Sequence, residues 1–157
     1  MEAEKFRQTV VPLYRQLYGV AMAVTGNGDD AADIVQDVMV RLWSRRDELD
    51  AVQSVKAFAV TMARNMAIDR IRSTARLTMP DSLPEQAVPP PDYGCGDVER
   101  IIDVLPPVQK EVMTLRAVAD LEIDEISRVT GYTPANVRQM LSRARRKLRQ
   151  IFINRST

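Results

Sequence analysis

The sequence contains no histidine and a single cysteine, Cys95. Those two shortages exclude an intrachain disulfide, a Cys/His zinc site and histidine-based acid–base catalysis. No metal site, cofactor or catalytic residue is expected, and the chain reads as something other than an enzyme. Aromatic residues make up only 5% of the chain, and Met, Leu, Ile and Ala dominate the apolar set, which favours helices over sheet. No long apolar run or signal-peptide pattern is present, so the expectation is a cytoplasmic protein with no membrane insertion. Acidic residues are missing altogether from Pro134 onward, and basic ones from Leu77 to Gly96. The formal net charge of +1 therefore conceals segregation. Asp29–Asp50 and Leu77–Glu99 are rich in acid, whereas Lys56–Arg76 and Arg138–Arg149 are strongly basic. Separate acidic and basic faces imply more than one partner.

The stretch Thr133–Gln150 is the most informative. Thr133 can cap a helix through its hydroxyl, and Pro134 suits the first helical position, where its missing N–H is no loss. At about 100° per residue, Val137, Met140, Leu141, Ala144, Leu148 and Ile151 share one side. The other side carries Arg138, Gln139, Ser142, Arg143, Arg145, Arg146 and Arg149. A duplex major groove admits such a helix: Arg bonds guanine bidentately, Gln does the same to adenine, and spare cations neutralise phosphates. Basic residues late in a helix also complement its dipole, so charge alone does not establish DNA binding. The preceding segment strengthens the reading. Ile123–Val129 has Ile123, Ile126 and Val129 at helical spacing and ends at Gly131, a natural C-cap. Helix, short glycine turn, basic helix is the helix-turn-helix pattern.

Taken in order, Lys5–Val24 shows helical apolar spacing with a bend expected at Pro12. Gly26 to Gly28 stops it, and Asp29-Asp30 opens the next helix with acid at the positive pole. That helix, about Ala31–Arg46, pairs an apolar face (Ala31, Ile34, Val35, Val38, Met39, Leu42, Trp43) with an outer side of Asp33, Gln36, Asp37, Val40 and Ser44. An apolar Val40 among acids suggests a protein partner. Arg45–Val55 reads as a loop. Lys56–Ser73 returns to helix, with Phe58, Met62, Met66 and Ile71 expected to pack, and Asp69 expected to pair with a nearby arginine. From Leu77 to Gly96, seven Pro and Gly positions and several acids predict an extended, mobile linker. Asp97–Leu105 begins another helix, and Pro106-Pro107 starts one reaching about Val118, its core side Val108, Val112, Leu115 and Val118. The expected architecture is all-α: two small helical domains, 1–76 and 97–157, joined by the Pro-rich linker 77–96. The second, a helix-turn-helix domain of roughly 55 residues, has a small core.

These motifs together resemble the extracytoplasmic-function (ECF) sigma factors of the sigma-70 superfamily. DAADIVQDVMVRLW (Asp30–Trp43), MARNMAIDRIR (Met62–Arg72), LPPVQKEVMTLR and IDEISRVTGYTPANVRQMLSRARRKLR occur in the family's order. The resemblance implies binding to bacterial core RNA polymerase and to promoter DNA. It assigns Asp33, Gln36, Asp37, Val40 and Arg41 to the β′ clamp helices of the polymerase, and implies its β flap as a further contact. The loop near Arg46–Val55 would capture a flipped minus-ten base, and Lys56, Arg64, Asn65, Asp69 and Arg70 would hold the opened strand. Arg138, Gln139, Ser142 and Arg143 would read the minus-thirty-five element, with Thr133, Arg145, Arg146 and Arg149 on phosphates. An anti-sigma factor is a further implied partner, and the free chain is expected to be a monomer. Three departures stand out: Met39 where an aromatic is common, Ser127 where the turn usually has alanine, and ADLEIDEI in place of a glycine-containing lead-in. The alternative is a helix-turn-helix repressor or activator on palindromic duplex, which leaves Asp30–Trp43 and the cationic third helix unexplained.

Overall fold

The computed structural model describes residues 1–77 and 102–156, with side chains described through 75 and 153. Every regular element among them is helical, and the chain divides into two compact units, Met1–Pro91 and Asp92–Thr157. The all-α, two-domain expectation holds. The expected linker from 78 to 96, and the helix expected over Asp97–Leu105 as far as 101, lie outside the described residues.

In the first unit Pro12 does more than bend a helix. The chain forms α1 (Ala3–Thr9), a 3₁₀ turn at Val11–Leu13, and then α2 (Tyr14–Thr25). Proline supplies no N–H and its ring crowds the carbonyl four residues back. The hydrogen bonding tightens accordingly, with Leu13 N–H donating to Val10 O at 2.9 Å. Gly26, at φ +66°, ends α2 and turns the chain by its left-handed conformation. Asn27 then caps α3 (Gly28–Ser44), its Oδ1 accepting the N–H groups of Asp29 and Asp30 at 2.9 and 3.1 Å. Such a cap contributes about 1 kcal/mol, and Asp29 and Asp30 add charge at the favourable pole.

The segment read as a loop holds a 3₁₀ turn, Glu48–Ala51, in which Leu49 is 2% exposed. That one apolar residue anchors the connection into the core. Ser54 Oγ accepts the Ala57 N–H at 3.1 Å and opens α4 (Val55–Leu77). Helices α2, α3 and α4 pack against one another. Leu17, Val20 and Ala21 of α2, Ile34, Val35, Val38 and Leu42 of α3, and Ala59, Val60, Ala63 and Ala67 of α4 are all buried. The expected packing face of α4 is corrected here: Phe58, Met62 and Met66 are only half-buried, and Ile71 is exposed. Alanine at every fourth position lets the helix approach its neighbours closely, so the small side chains, not the large ones, form the seam.

In the second unit Ile102 and Leu105 are buried ahead of α5 (Pro107–Met113). The helix passes into a π turn, Thr114–Val118, where Ala119 N–H donates to Thr114 O at 3.1 Å. The wider register rotates the buried side. Val112 and Leu115 are buried as expected, but Met113 and Thr114 join them, while Val108 is exposed and Val118 half-buried. α6 (Ile123–Thr130) begins with a capping box between Glu122 and Glu125 and ends at Gly131, φ +84°. α7 (Pro134–Ser156) follows. Both α5 and α6 pack on α7, around buried Ile126, Val129, Val137, Leu141 and Ala144.

Candidate functional site

The geometry of α7 follows from its first residues. Thr133 Oγ1 accepts the Asn136 N–H at 3.2 Å, and Pro134 occupies the first helical position. The turn before it is fastened by Ser127, whose hydroxyl donates to Tyr132 O at 2.6 Å. With Val137, Leu141 and Ala144 fixed inward, helical periodicity sends two adjacent rows outward: Arg138, Ser142, Arg145 and Arg149, and beside them Gln139, Arg143 and Arg146. All seven are exposed, as is Thr133. Lys147, which the sequence reading passed over, is exposed too and brings a further cation. Without a carboxylate anywhere on the helix, this surface is electropositive, and its alternation of fork-shaped guanidinium donors with an amide and a hydroxyl suits base edges and phosphates.

On α3 the five predicted residues form one exposed stripe. Asp33, Gln36, Asp37, Val40 and Arg41 all face solvent opposite buried Ile34, Val35, Val38 and Leu42. Val40 is 64% exposed. At the end of the helix Trp43 sits between two contacts: Phe6 meets it edge-on at 5.1 Å between ring centroids, 76° apart, and the Arg46 guanidinium lies 4.2 Å from its centroid. Arg46 Nη1 also donates to Trp43 O at 3.0 Å. The segment that follows is held by Leu49 and by Asp50, whose carboxylate receives the Met1 ammonium at 2.9 Å and Lys5 at 3.3 Å. Hydrogen bonds from that ammonium and from Lys5 hold the Asp50 carboxyl below the ordinary carboxylate range.

The predicted set on α4 is not gathered onto one face. Asn65 and Asp69 are exposed and point away from the alanine seam, whereas Lys56, Arg64 and Arg70 are half-buried, Arg70 in line with the seam and Arg64 to one side of it. Asp69 makes no ion pair among the described residues, contrary to the sequence-based expectation. The carboxylates that meet a nearby arginine are on α3: Arg70 Nη1 lies 3.0 Å from Asp30 Oδ1 and 3.5 Å from Asp33 Oδ2. Sequence spacing within one helix could not reveal this pair, because its members are 40 residues apart.

Comparison with known families resolves what carries these surfaces. The family model Sigma-70 region 2 matches residues 9–77, and Sigma-70, region 4, in its ECF-type form, matches residues 95–148. The chain belongs to the ECF-type sigma-70 family. RNA polymerase sigma factor SigV of Bacillus subtilis (strain 168) is 26% identical over 138 residues, 86% of this chain and 83% of SigV. ECF RNA polymerase sigma factor SigW of the same strain is 24% identical over 160 residues, 90% of this chain and 86% of SigW. Among solved structures, the sigma factor RpoE in complex with the anti-sigma factor NepR from Bartonella quintana has the same fold, with TM-score 0.74 at 22% identity over 96% of this chain and 98% of RpoE. CnrH in complex with the cytosolic domain of CnrY gives TM-score 0.66 at 23% identity, over 98% and 90%.

As a sigma factor the chain binds core RNA polymerase, recognises promoter DNA and promotes initiation of transcription. The sigma factor's departures from the family pattern now have physical content. Ser127 adds a hydrogen bond across the helix-turn-helix turn. In ADLEIDEI, Asp120 takes φ +56°, the left-handed conformation that a glycine adopts without steric cost. Met39 is half-buried on α3. No described helix of the sigma factor is long and apolar enough to cross a membrane.

Proposed function

We propose a division of labour among three helices. The exposed stripe Asp33, Gln36, Asp37, Val40 and Arg41 on α3 docks on the β′ clamp helices of core polymerase, with the β flap as a further contact. The Arg46–Val55 segment takes the flipped minus-ten base, and α4 holds the opened strand through Lys56, Arg64, Asn65, Asp69 and Arg70. Extruding a base costs a few kcal/mol, which contacts to the strand must offset. Helix α7 reads the minus-thirty-five element through Arg138, Gln139, Ser142 and Arg143, while Arg145, Arg146, Arg149 and Thr133 position it on phosphates. Polymerase holds both domains at high effective concentration, so neither need bind DNA tightly alone. The domains are taken as 1–76 and 97–157, separated by the linker 77–96.

The observation that carries this reading is the solvent-facing cationic surface of α7 directly behind a capped helix-turn-helix turn. The factor itself performs no chemistry; bond formation belongs to the polymerase. It acts in the cytoplasm, as a monomer when free, and without a cofactor. That the RpoE of similar fold was captured with the anti-sigma factor NepR supports an anti-sigma factor for this chain too. Run-off transcription with bacterial core polymerase on a promoter library tests the proposal. Start-site selection that depends on the added chain is expected; core polymerase that remains unselective overturns it.

A further inference from the structure

The contact between Arg70 and the two α3 carboxylates belongs to neither surface alone. Asp33 lies in the docking stripe, Arg70 in the strand-holding set, and Asp30 in neither. Yet a single guanidinium nitrogen, Nη1, serves both acids, at 3.0 Å to Asp30 and 3.5 Å to Asp33. The three side chains differ in accessibility: Arg70 is 33% exposed, Asp30 38% and Asp33 64%. The nearer, more sheltered acid is thus the one without an assigned role, and the farther, more open one faces the proposed partner. Two carboxylates against one guanidinium leave a local charge of −1, which repels a phosphate approaching Arg70. A cationic protein surface that takes up Asp33 removes one of those negative charges.

We infer that Asp30, Asp33 and Arg70 form an electrostatic relay, in which docking of a cationic partner on Asp33 removes the excess negative charge beside Arg70 and so opens it to nucleic-acid phosphate. Asp30 is the positioning residue: it keeps the guanidinium against α3 while the free protein awaits its partner. Because the same three groups sit in both equilibria, coupling runs both ways, and a bound strand strengthens docking by the factor by which docking strengthens strand binding. The relay rests on the division of labour proposed above.

The test is a double-mutant cycle on the full chain, with Asp30→Asn, Arg70→Gln and both together, and Asp29→Asn as a charge-matched neighbour that is exposed on the same helical turn. The readout is affinity for a labelled single-stranded DNA oligonucleotide across a salt series, with and without core polymerase; thermal melts report that each variant is folded. In the free chain D30N should tighten binding about two- to fivefold, the scale of a partly exposed ion pair, and steepen the salt dependence. D29N should give less. The gain should vanish in the R70Q background and shrink once core polymerase is bound. Equal gains from D30N and D29N, or a gain that survives R70Q, would overturn the relay. Wild-type run-off transcription separates the two levels. A chain that initiates normally but shows no coupling loses the relay alone, and one that neither binds polymerase nor initiates loses the division of labour with it.

Discussion

The two units carry their charge in opposite ways. In the second, Lys110 meets Asp103 at 2.9 Å, but the cations of α7 turn outward from a buried side of Val137, Leu141 and Ala144, with no acid beside them on that helix. In the first, acid and base lie on different helices and meet across the groove between α3 and α4, where Arg70 binds Asp30 and Asp33. A surface of the first kind offers its full charge to whatever approaches. One of the second kind is partly satisfied within the protein, so its partners must compete with internal contacts. On the proposed reading, α7 offers its charge to a polyanion, and α3 and α4 exchange internal contacts for external ones.

Four experiments sharpen or break that contrast. The largest effect is expected from reversing Asp33 and Asp37 together to Lys, which should abolish co-purification with core polymerase while the melting curve stays in place. Retained co-purification would remove the docking role from the stripe. Next, Leu141→Ala deletes buried volume from a small core and should cost about 2–5 kcal/mol of stability, read as unfolding of the second unit in urea. If the units are independent, a transition belonging to the first should stay where it was; a single merged transition would contradict them. Arg143→Ala should cost about 1–3 kcal/mol on the preferred upstream sequence and little elsewhere, measured by competition binding of holoenzyme. Equal losses on every sequence would demote Arg143 to a phosphate contact. Smallest of all, Arg149→Ala should weaken binding on all sequences alike and lower the salt slope by about one; a sequence-dependent loss would move it among the base readers.

The same contrast explains how much was legible beforehand. For α7 the periodicity of apolar residues, the threonine cap and the proline behind it were enough, and each predicted outward residue is exposed. The stripe on α3 was legible for the same reason, since one helix defines it. What the sequence could not convey lies between helices. The large residues of α4 drew the packing expectation, but the neighbours demanded close approach and selected Ala59, Ala63 and Ala67. Asp69 was the nearest acid to Arg70 in sequence, whereas Asp30 is the nearest in space. Leu49 stands alone among the charges of Arg45–Asp50, too short a signal for periodicity to detect, and only burial identifies it as an anchor. Backbone conformations such as the π turn after Met113 and the left-handed Asp120 have no compositional sign at all.

The way the Arg46–Val55 segment is fastened has a practical corollary. Its start is held by Arg46 on Trp43, its middle is pegged by Leu49 and tied through Asp50 to Met1 and Lys5, and its far end is closed by the Ser54 hydroxyl on Ala57. Residues between those fixings can therefore change without disturbing the helices on either side. On the proposed reading such a segment behaves as a cassette: transplants from other sigma factors that keep Arg46, Leu49, Asp50 and Ser54 should shift promoter preference and leave the melting temperature where it was. Evolution would find the same freedom, altering which genes are switched on while the scaffold stays constant.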